Sequence, residues 1–436
     1  MSNKMKQRAA AKNAKTPIKS KQASAPARLI DEYPKRIKDA KKFTYEFWTN
    51  KPVPQFDEIS IMSTPIEQNL LTREVYKSDN PIKLPDGLRW VTIDMSDTNM
   101  LASVCQFLRL HYLIDQKNKF RIDYTPDFLR FAIGKNGMMI AIVSQKSNVI
   151  CGLVATSFKL LTVFDKLERF AAVDFLCSHP IYRKKKIAFT LIDEIVRRIT
   201  KTGCHFGCFT TERCIPTPTT TIRYYHRPIN YSKLQKHGFI EIGGNPEKVQ
   251  LKFNLSDNVS NDFIKMKNED LTTVYELYKY FSSRFNIYCH YTEQELGQLL
   301  LNNDFVNSYV VMDGEKIVDF ASYYKLPYLI ENSEEKINSA YMFLYSCTTV
   351  SPDTIIDNLL KIAKKENYDV LNVLDVGLVG DMLLTSELNN GDESDEESYE
   401  HVYEHKFLKG TGKIYFNFFN WKCPEIRPRQ LLWTVY

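Results

Sequence analysis

Asp174-Phe175-Leu176-Cys177-Ser178-His179, followed by Arg183-Lys184-Lys185-Lys186-Ile187-Ala188, decides the reading of this chain. The first run reads as a strand ending in a β-bulge. The second is a cationic turn that leads into a helix. A bulge frees backbone N–H groups from the ladder, and freed N–H groups can receive the oxygen of a thioester under attack. Cations at a helix N-terminus add a seat for phosphates. The combination suits an acyl-CoA acyltransferase.

Strand-like runs at Met139–Ser144, Ile150–Phe158 and Arg169–Cys177 lead into this segment. Behind it, Ala188, Leu191, Ile192, Ile195, Val196 and Ile199 recur on one helical face. A strand at His205–Thr211 follows. The same order returns further along, with runs at Ser308–Met312, Lys316–Tyr324 and Ala340–Cys347. Asp313-Gly314 marks a hairpin between the first two of these. Ser351-Pro352 is an N-cap with proline at the first helical position, ahead of a stripe of Ile355, Ile356, Leu359, Leu360 and Ala363. Asp369–Leu374 is the strand after it. Three strands, a helix and a strand, twice over, is the element order of acyl-CoA N-acyltransferase folds. Pattern alone supports an α/β chain and leaves a duplication open.

The chain's 436 residues predict two or three domains with ample apolar content for large cores. No run of eighteen apolar residues occurs, and the start, Met1-Ser2-Asn3-Lys4, has no apolar stretch behind it. No membrane span and no secretory signal are expected. Position 2 is not glycine, so the chain is not itself a candidate for myristoylation. Nine scattered cysteines suit reduced thiols in a cytoplasmic protein. Residues 1–30 carry eight Lys or Arg and no acid. This tail reads as a disordered, solvated extension; a tether to ribosomal RNA or an acidic membrane surface is the sharper alternative. It holds no aromatic residue for base stacking.

From about Phe43 onward the chain resembles the N-myristoyltransferase (glycylpeptide N-tetradecanoyltransferase) family, through several signatures in family order. These are Tyr45-Glu46-Phe47-Trp48 with Pro52-Val53-Pro54, then Phe120-Arg121-Ile122-Asp123-Tyr124, then the Asp174–His179 segment and its basic turn. Arg223-Tyr224-Tyr225-His226-Arg227, with Asn230 and Lys233-Leu234, follows, and Asn420-Trp421-Lys422-Cys423-Pro424 closes the series. The resemblance implies two GNAT-like halves sharing a saddle-shaped mixed sheet. It also implies a basic tail over 1–42, an acyl-CoA half over 43–245 and a peptide-binding half over 246–436. A monomer is implied as well.

The implied reaction moves a tetradecanoyl group from myristoyl-CoA to the α-amine of an N-terminal glycine, by direct attack and with no cofactor or metal. By family match, the backbone N–H groups of Phe175 and Leu176 form the oxyanion hole. Thr210 steers the amine, and the terminal carboxylate of Tyr436 is the base. Glu46, Phe47 and Trp48 lie along the acyl-CoA with Phe175, Leu176, Cys177 and Ser178. Arg183, Lys184 and Lys186, with the N–H groups of Ile187 and Ala188, seat its phosphates. The peptide side comprises Asp115, Phe120, Tyr124, Asp174, Glu212, Tyr224, His226, Gly410, Thr411 and Gly412. Leu431, Leu432, Trp433 and Val435 are apolar enough to bury, which argues against a frayed end.

Departures from the family pattern carry information. Asp174 stands where the family has asparagine, and an ionised carboxylate can only accept hydrogen bonds. Glu212 replaces a glycine. Ile114-Asp115-Gln116-Lys117 and Gly410-Thr411-Gly412 retain one acid, Asp115, where the family forms an acidic pocket for a substrate lysine. A weakened preference for basic residues downstream of the glycine is expected. An acidic insertion near 389–405 reads as a solvated loop, or as a flap that replaces the missing acids. A nucleophilic Cys177 with His179 as its base is a weaker reading. Cys204, His205, Cys208 and Cys214 match no zinc spacing. Two functional alternatives remain: a family member that binds acyl-CoA or glycine-terminal peptides without turnover, and a transferase with another acyl chain or acceptor.

Overall fold

The structure, a computed structural model, describes residues 46–55, 60–115, 118–215, 217–240, 246–301, 303–389 and 406–435, with backbone only at 46, 246 and 384–389. The basic tail, Gln116-Lys117, nearly all of the acidic insertion and Tyr436 therefore lie outside the described residues.

After a short helix α1 (Glu46–Thr49), the first half runs through β1 (Leu88–Thr92) and α2 (Thr98–His111). It continues into β2 (Met138–Ser144), β3 (Ile150–Val163) and β4 (Lys166–Ser178). α3 (Ile187–Thr200) and β5 (Phe206–Thr211) complete it. The β3–β4 hairpin is longer than the sequence pattern suggests. Its pairing continues to Val163 and Lys166, where buried Leu161 and Val163 alternate with more exposed neighbours. Ile187, Leu191, Ile195 and Ile199 of α3 pack on Ile140, Val154 and Ala171 of the sheet. Ile192 and Val196 face a separate cluster with Trp48. The apolar stripe is thus wide enough to serve two surfaces. On the other face α2 buries Leu101, Val104 and Leu108, and its first turn is capped by the Asp97 carboxylate.

The chain then forms β6 (Thr220–Ile222), β7 (Tyr224–Pro228), β8 (Phe263–Lys265) and β9 (Ile287–His290). The second half repeats the first. β10 (Val306–Asp313) turns at Gly314 into β11 (Lys316–Lys325), and β12 (Ser339–Tyr345) follows. α4 (Pro352–Lys365) has the expected Ser351 cap, whose hydroxyl accepts from the Thr354 N–H, and β13 (Val370–Leu374) comes after it. The remaining strands used here are β14 (Leu408–Lys409), β15 (Ile414–Phe419) and β16 (Leu431–Leu432).

The halves share structure by exchanging strands between two mixed sheets. The first sheet runs β1-β2-β3-β4-β5-β15-β6, with β9 on the far end of β3 and β16 on β9. The second runs β8-β10-β11-β12-β13-β7-β14. β15, late in the chain, thus completes the first sheet, and β7, from the first half, sits inside the second. Each half is a unit of meander, helix and parallel strand. No helix among the described residues is long and apolar enough to cross a membrane.

Candidate active site

The bulge lies where the sequence pattern places it. Leu153 pairs with Cys177 and Ala155 with Asp174, so Phe175 and Leu176 together oppose Val154. Phe175 has φ 55°, a left-handed conformation that is costly for an aromatic residue. Packing holds it there: its ring is buried against Tyr112 and Tyr124, at centroid distances of 5.9 and 5.5 Å. The parallel ladder between β4 and β5 ends at Val173 and Phe209, one residue before Asp174. Beyond that point the two strands part.

A cavity of about 130 Å³ lies beside the parting, between Val173, Leu176 and Phe209 of the strands and Ile192, Ile195 and Val196 of α3. Thr210 lies on its rim. The segment with Phe47 and Trp48 covers it. Trp48 stacks on Phe209 at 5.6 Å, Phe47 stacks on Phe189 at 4.3 Å, and Lys51 pairs with Asp193 of α3. The Glu46 side chain lies outside the described residues. The cavity-lining role of α3 was not expected; its apolar stripe reads equally well as core.

Lys184 and Lys186 both adopt left-handed conformations, at φ 66° and 61°. Lys186 is the N-cap of α3 and makes no side-chain cap bond, so neither the Ile187 nor the Ala188 N–H is capped from it. Lys184, Lys185 and Lys186 are exposed, whereas Arg183 reaches 3.4 Å to the His111 carbonyl. Ser178 closes β4 opposite Gly152. This end of α3 combines a helix dipole that its N-cap side chain leaves open with exposed positive charge.

The opposite face of the sheet carries the acids. Asp174 makes no hydrogen bond or ion pair among the described residues, and burial pushes its carboxyl up to about 6, with Lys159 opposing. Beside it, burial raises the Tyr112 hydroxyl, Asp174 and Glu212 add to that rise, and a hydrogen bond from the Phe175 N–H counters it. Asp174, exposed Glu212 and the freed backbone thus converge on Tyr112, a residue absent from the sequence reading. The Tyr124 hydroxyl is buried without a hydrogen-bond partner among the described residues. Cys177 is buried and its thiol is pushed up to about 12, while His179 accepts from the Ile181 N–H instead. That arrangement disfavours a thiolate nucleophile. Cys204 and Cys208 are buried thiols, both raised by desolvation.

The expected peptide residues divide. Asp115 accepts the Phe120 N–H at 2.7 Å and stands 3.8 Å from Arg121, so its charge serves its own loop. Phe120, at 8% exposure and with its ring on Phe239 at 4.9 Å, lies in a satellite core cluster. Tyr224 and His226 stack at 6.4 Å, and His226 Nδ1 bonds Asn372 at 2.7 Å. Gly410 docks its N–H on the Tyr224 carbonyl at 2.8 Å, whereas Thr411 and Gly412 are exposed.

A wall of tyrosines joins this region to the end of the chain. Tyr324 stacks on Tyr341 at 5.0 Å, and the Tyr328 and Tyr341 hydroxyls bond at 2.8 Å. The Val435 carbonyl accepts from Tyr324 at 2.6 Å and Tyr224 at 3.4 Å. With β16 paired to β9 and Trp433 on Phe416, the segment to Val435 is anchored. Tyr436 itself lies outside the described residues. In sequence these tyrosines are scattered members of strands; only their alternation could have hinted at a shared surface.

A family model described as Myristoyl-CoA:protein N-myristoyltransferase, N-terminal domain, matches residues 65–222, and its C-terminal counterpart matches residues 229–431. The chain is 29% identical over 416 residues to a Caenorhabditis elegans protein named probable glycylpeptide N-tetradecanoyltransferase, covering 92% of this chain and 88% of the other. A Plasmodium falciparum glycylpeptide N-tetradecanoyltransferase is 25% identical over 415 residues, covering 91% and 95%. The solved structure of Saccharomyces cerevisiae N-myristoyltransferase with bound myristoyl-CoA is similar with a TM-score of 0.79 at 26% identity, covering 91% of this chain and 95% of the other.

Proposed function

This chain belongs to the N-myristoyltransferase family, and from that premise we propose that it transfers a tetradecanoyl group from myristoyl-CoA to the α-amine of an N-terminal glycine by direct attack. The observation that carries the proposal is the strained bulge at Phe175, set where β4 and β5 part beside an apolar cavity. The acyl chain lies in that cavity under Trp48. Each buried methylene contributes about 0.8 kcal/mol, so the depth of the cavity selects the chain length. The thioester oxygen takes the N–H groups of Phe175 and Leu176, displacing the Tyr112 hydroxyl. One such donor stabilises the transition state by about 2.7–4 kcal/mol. The CoA phosphates sit on the uncapped start of α3 with Arg183, Lys184 and Lys186.

The glycine ammonium enters from the opposite face. Asp174 holds it, Thr210 directs it, and the carboxylate of Tyr436 takes its proton before attack. Residues 43–245 supply the acyl-CoA side of this division and residues 246–436 the peptide side. The anchoring of Val435 by Tyr324 and Tyr224 supports a role for the residue after it. The local bonds of Asp115 support a weak preference for basic residues downstream of glycine.

The test is to incubate the full chain with tetradecanoyl-CoA and a peptide beginning Gly-Asn-x-x-Ser, following CoA release and peptide mass. A peptide heavier by one tetradecanoyl group is expected. Tight binding of the acyl-CoA with no modified peptide would overturn transfer and leave a binding protein.

A further inference from the structure

The second half repeats the pairing register of the first-half bulge, although Phe343 lacks the left-handed φ of Phe175. Ala321 pairs with Tyr345 and Tyr323 with Met342, so Phe343 and Leu344 together oppose Ser322. In the first half Phe175 and Leu176 oppose Val154 in the same way. The local sequences correspond as well, Asp174-Phe175-Leu176-Cys177-Ser178 against Met342-Phe343-Leu344-Tyr345-Ser346. In both halves the parallel ladder to the next strand stops just ahead of the bulge, at Val173–Phe209 and at Tyr341–Asn372. A helix of 14 residues follows each bulge.

What fills the two frames differs. The counterpart of Val154 is Ser322, whose hydroxyl accepts the bulge N–H of Leu344 at 3.1 Å and donates to the Leu344 carbonyl at 2.7 Å. Three residues earlier, the counterpart of Cys151 is Asp319. Its carboxylate is fully buried and points into the turn before α4. Oδ1 accepts from Ser346 Oγ at 2.8 Å, the Thr348 N–H at 2.7 Å and Thr348 Oγ1 at 2.9 Å. Oδ2 accepts from the N–H groups of Thr349 and Val350 at 2.8 and 2.9 Å. None of these five donors is a cation. Three consecutive backbone N–H groups closing on one anion ahead of a helix form an anion nest. In the first half Val154 and Cys151 bring neither a hydroxyl nor a charge.

We propose that the second half keeps the register of the first-half bulge and that the chain's own side chains close it, with the Asp319 carboxylate filling an anion nest in the turn before α4 and Ser322 on the bulge N–H. The nest stands on its own geometry: it precedes the Ser351 cap of α4, whereas the phosphate role given above belongs to N–H groups within α3. Removing the Asp319 carboxylate leaves five oriented donors, so the nest then takes a small oxyanion from solution, carboxylate or phosphate.

The test is thermal unfolding of the full chain and its Asp319→Ala variant in a buffer of low anion content, titrated with sodium acetate or sodium phosphate against sodium chloride. Asp319→Ala is expected to lower the midpoint, and acetate or phosphate to recover at least half of the loss while moving the parent chain much less. Stronger rescue by phosphate marks a phosphate seat; stronger rescue by acetate marks a cradle shaped to the side chain. Asp319→Asn still fills the nest and is expected to gain nothing from either anion. Equal shifts for all three proteins would overturn the proposal. Should Asp319→Ala not fold on expression, its refolding yield with and without acetate gives the same reading. Acyl transfer by the parent chain is measured separately, so failure of that activity leaves the anion result intact.

Discussion

Asp174 carries the first prediction, a pH dependence. Its carboxyl is pushed up to about 6 by burial, with Lys159 of β3 as the opposing charge. Cys208 of β5, Tyr112, Tyr124 and, more distantly, Glu212 share its surroundings. With the folded value above that of an unfolded aspartate, the native state binds the proton more tightly. Stability therefore falls as pH rises from about 4 through about 6. Asp174→Asn removes that loss, so the variant gains stability relative to the parent as pH rises across this window. Urea midpoints between pH 4 and 7 check it; parallel curves would refute it. The ionised carboxylate is also the form that receives an ammonium. kcat/KM is expected to rise on an acid limb near pH 6 in the parent, and that limb should be absent from Asp174→Asn. A limb that survives the substitution assigns it to another group.

At the level of elements, the first-half bulge, the Ser351 cap and the two helices were legible because local rules determine them. An alternating apolar run, a cap and a 3.6-residue period need no knowledge of the rest of the chain. The loop from Leu408 to Gly412 shows where such rules end. Its glycines suggest a turn, but the reason for Gly410 is tertiary: a Cβ there would lie 2.6 Å from the Tyr224 carbonyl and 3.0 Å from His226 Nε2. Gly410→Ala must push the loop off β7, which carries both residues. Expected is a rise in peptide KM of about tenfold, equivalent to about 1.4 kcal/mol, with acyl-CoA affinity unchanged. Isothermal titration with tetradecanoyl-CoA beside peptide kinetics separates the two. A matched loss of acyl-CoA binding would show that the loop supports the whole fold. The double use of α3, as core for β2–β4 and as cavity wall, was illegible for a related reason. Both surfaces ask for the same residue types, and only the position of Trp48 distinguishes them.

Over the whole molecule, exchange of β7 and β15 brings residues distant in sequence onto one wall. Pairing rules applied along the chain miss this, because strand neighbours need not be sequence neighbours. The consequence is mechanical. The segment up to Val435 is held by β16 on β9, Trp433 on Phe416, and finally the Tyr324 hydroxyl on the Val435 carbonyl. Tyr324 is buried and stacked on Tyr341, so Tyr324→Phe keeps the ring and its packing and deletes the hydroxyl. A lost hydrogen bond of this kind costs about 0.5–1.5 kcal/mol, which cannot unfold a core of this size. If the bond positions the residue after Val435 as the base, the cost appears in turnover. The expected result is a fall in kcat of about three- to tenfold, with peptide KM and acyl-CoA affinity within twofold of the parent and an unfolding midpoint lowered by no more than about 4 °C. Pre-steady-state CoA release assigns the loss to the chemical step, since a single turnover does not wait for product to leave. A variant that turns over at the parent rate would show that Tyr224 and β16 hold the chain end without Tyr324, and that the tyrosine wall serves packing alone.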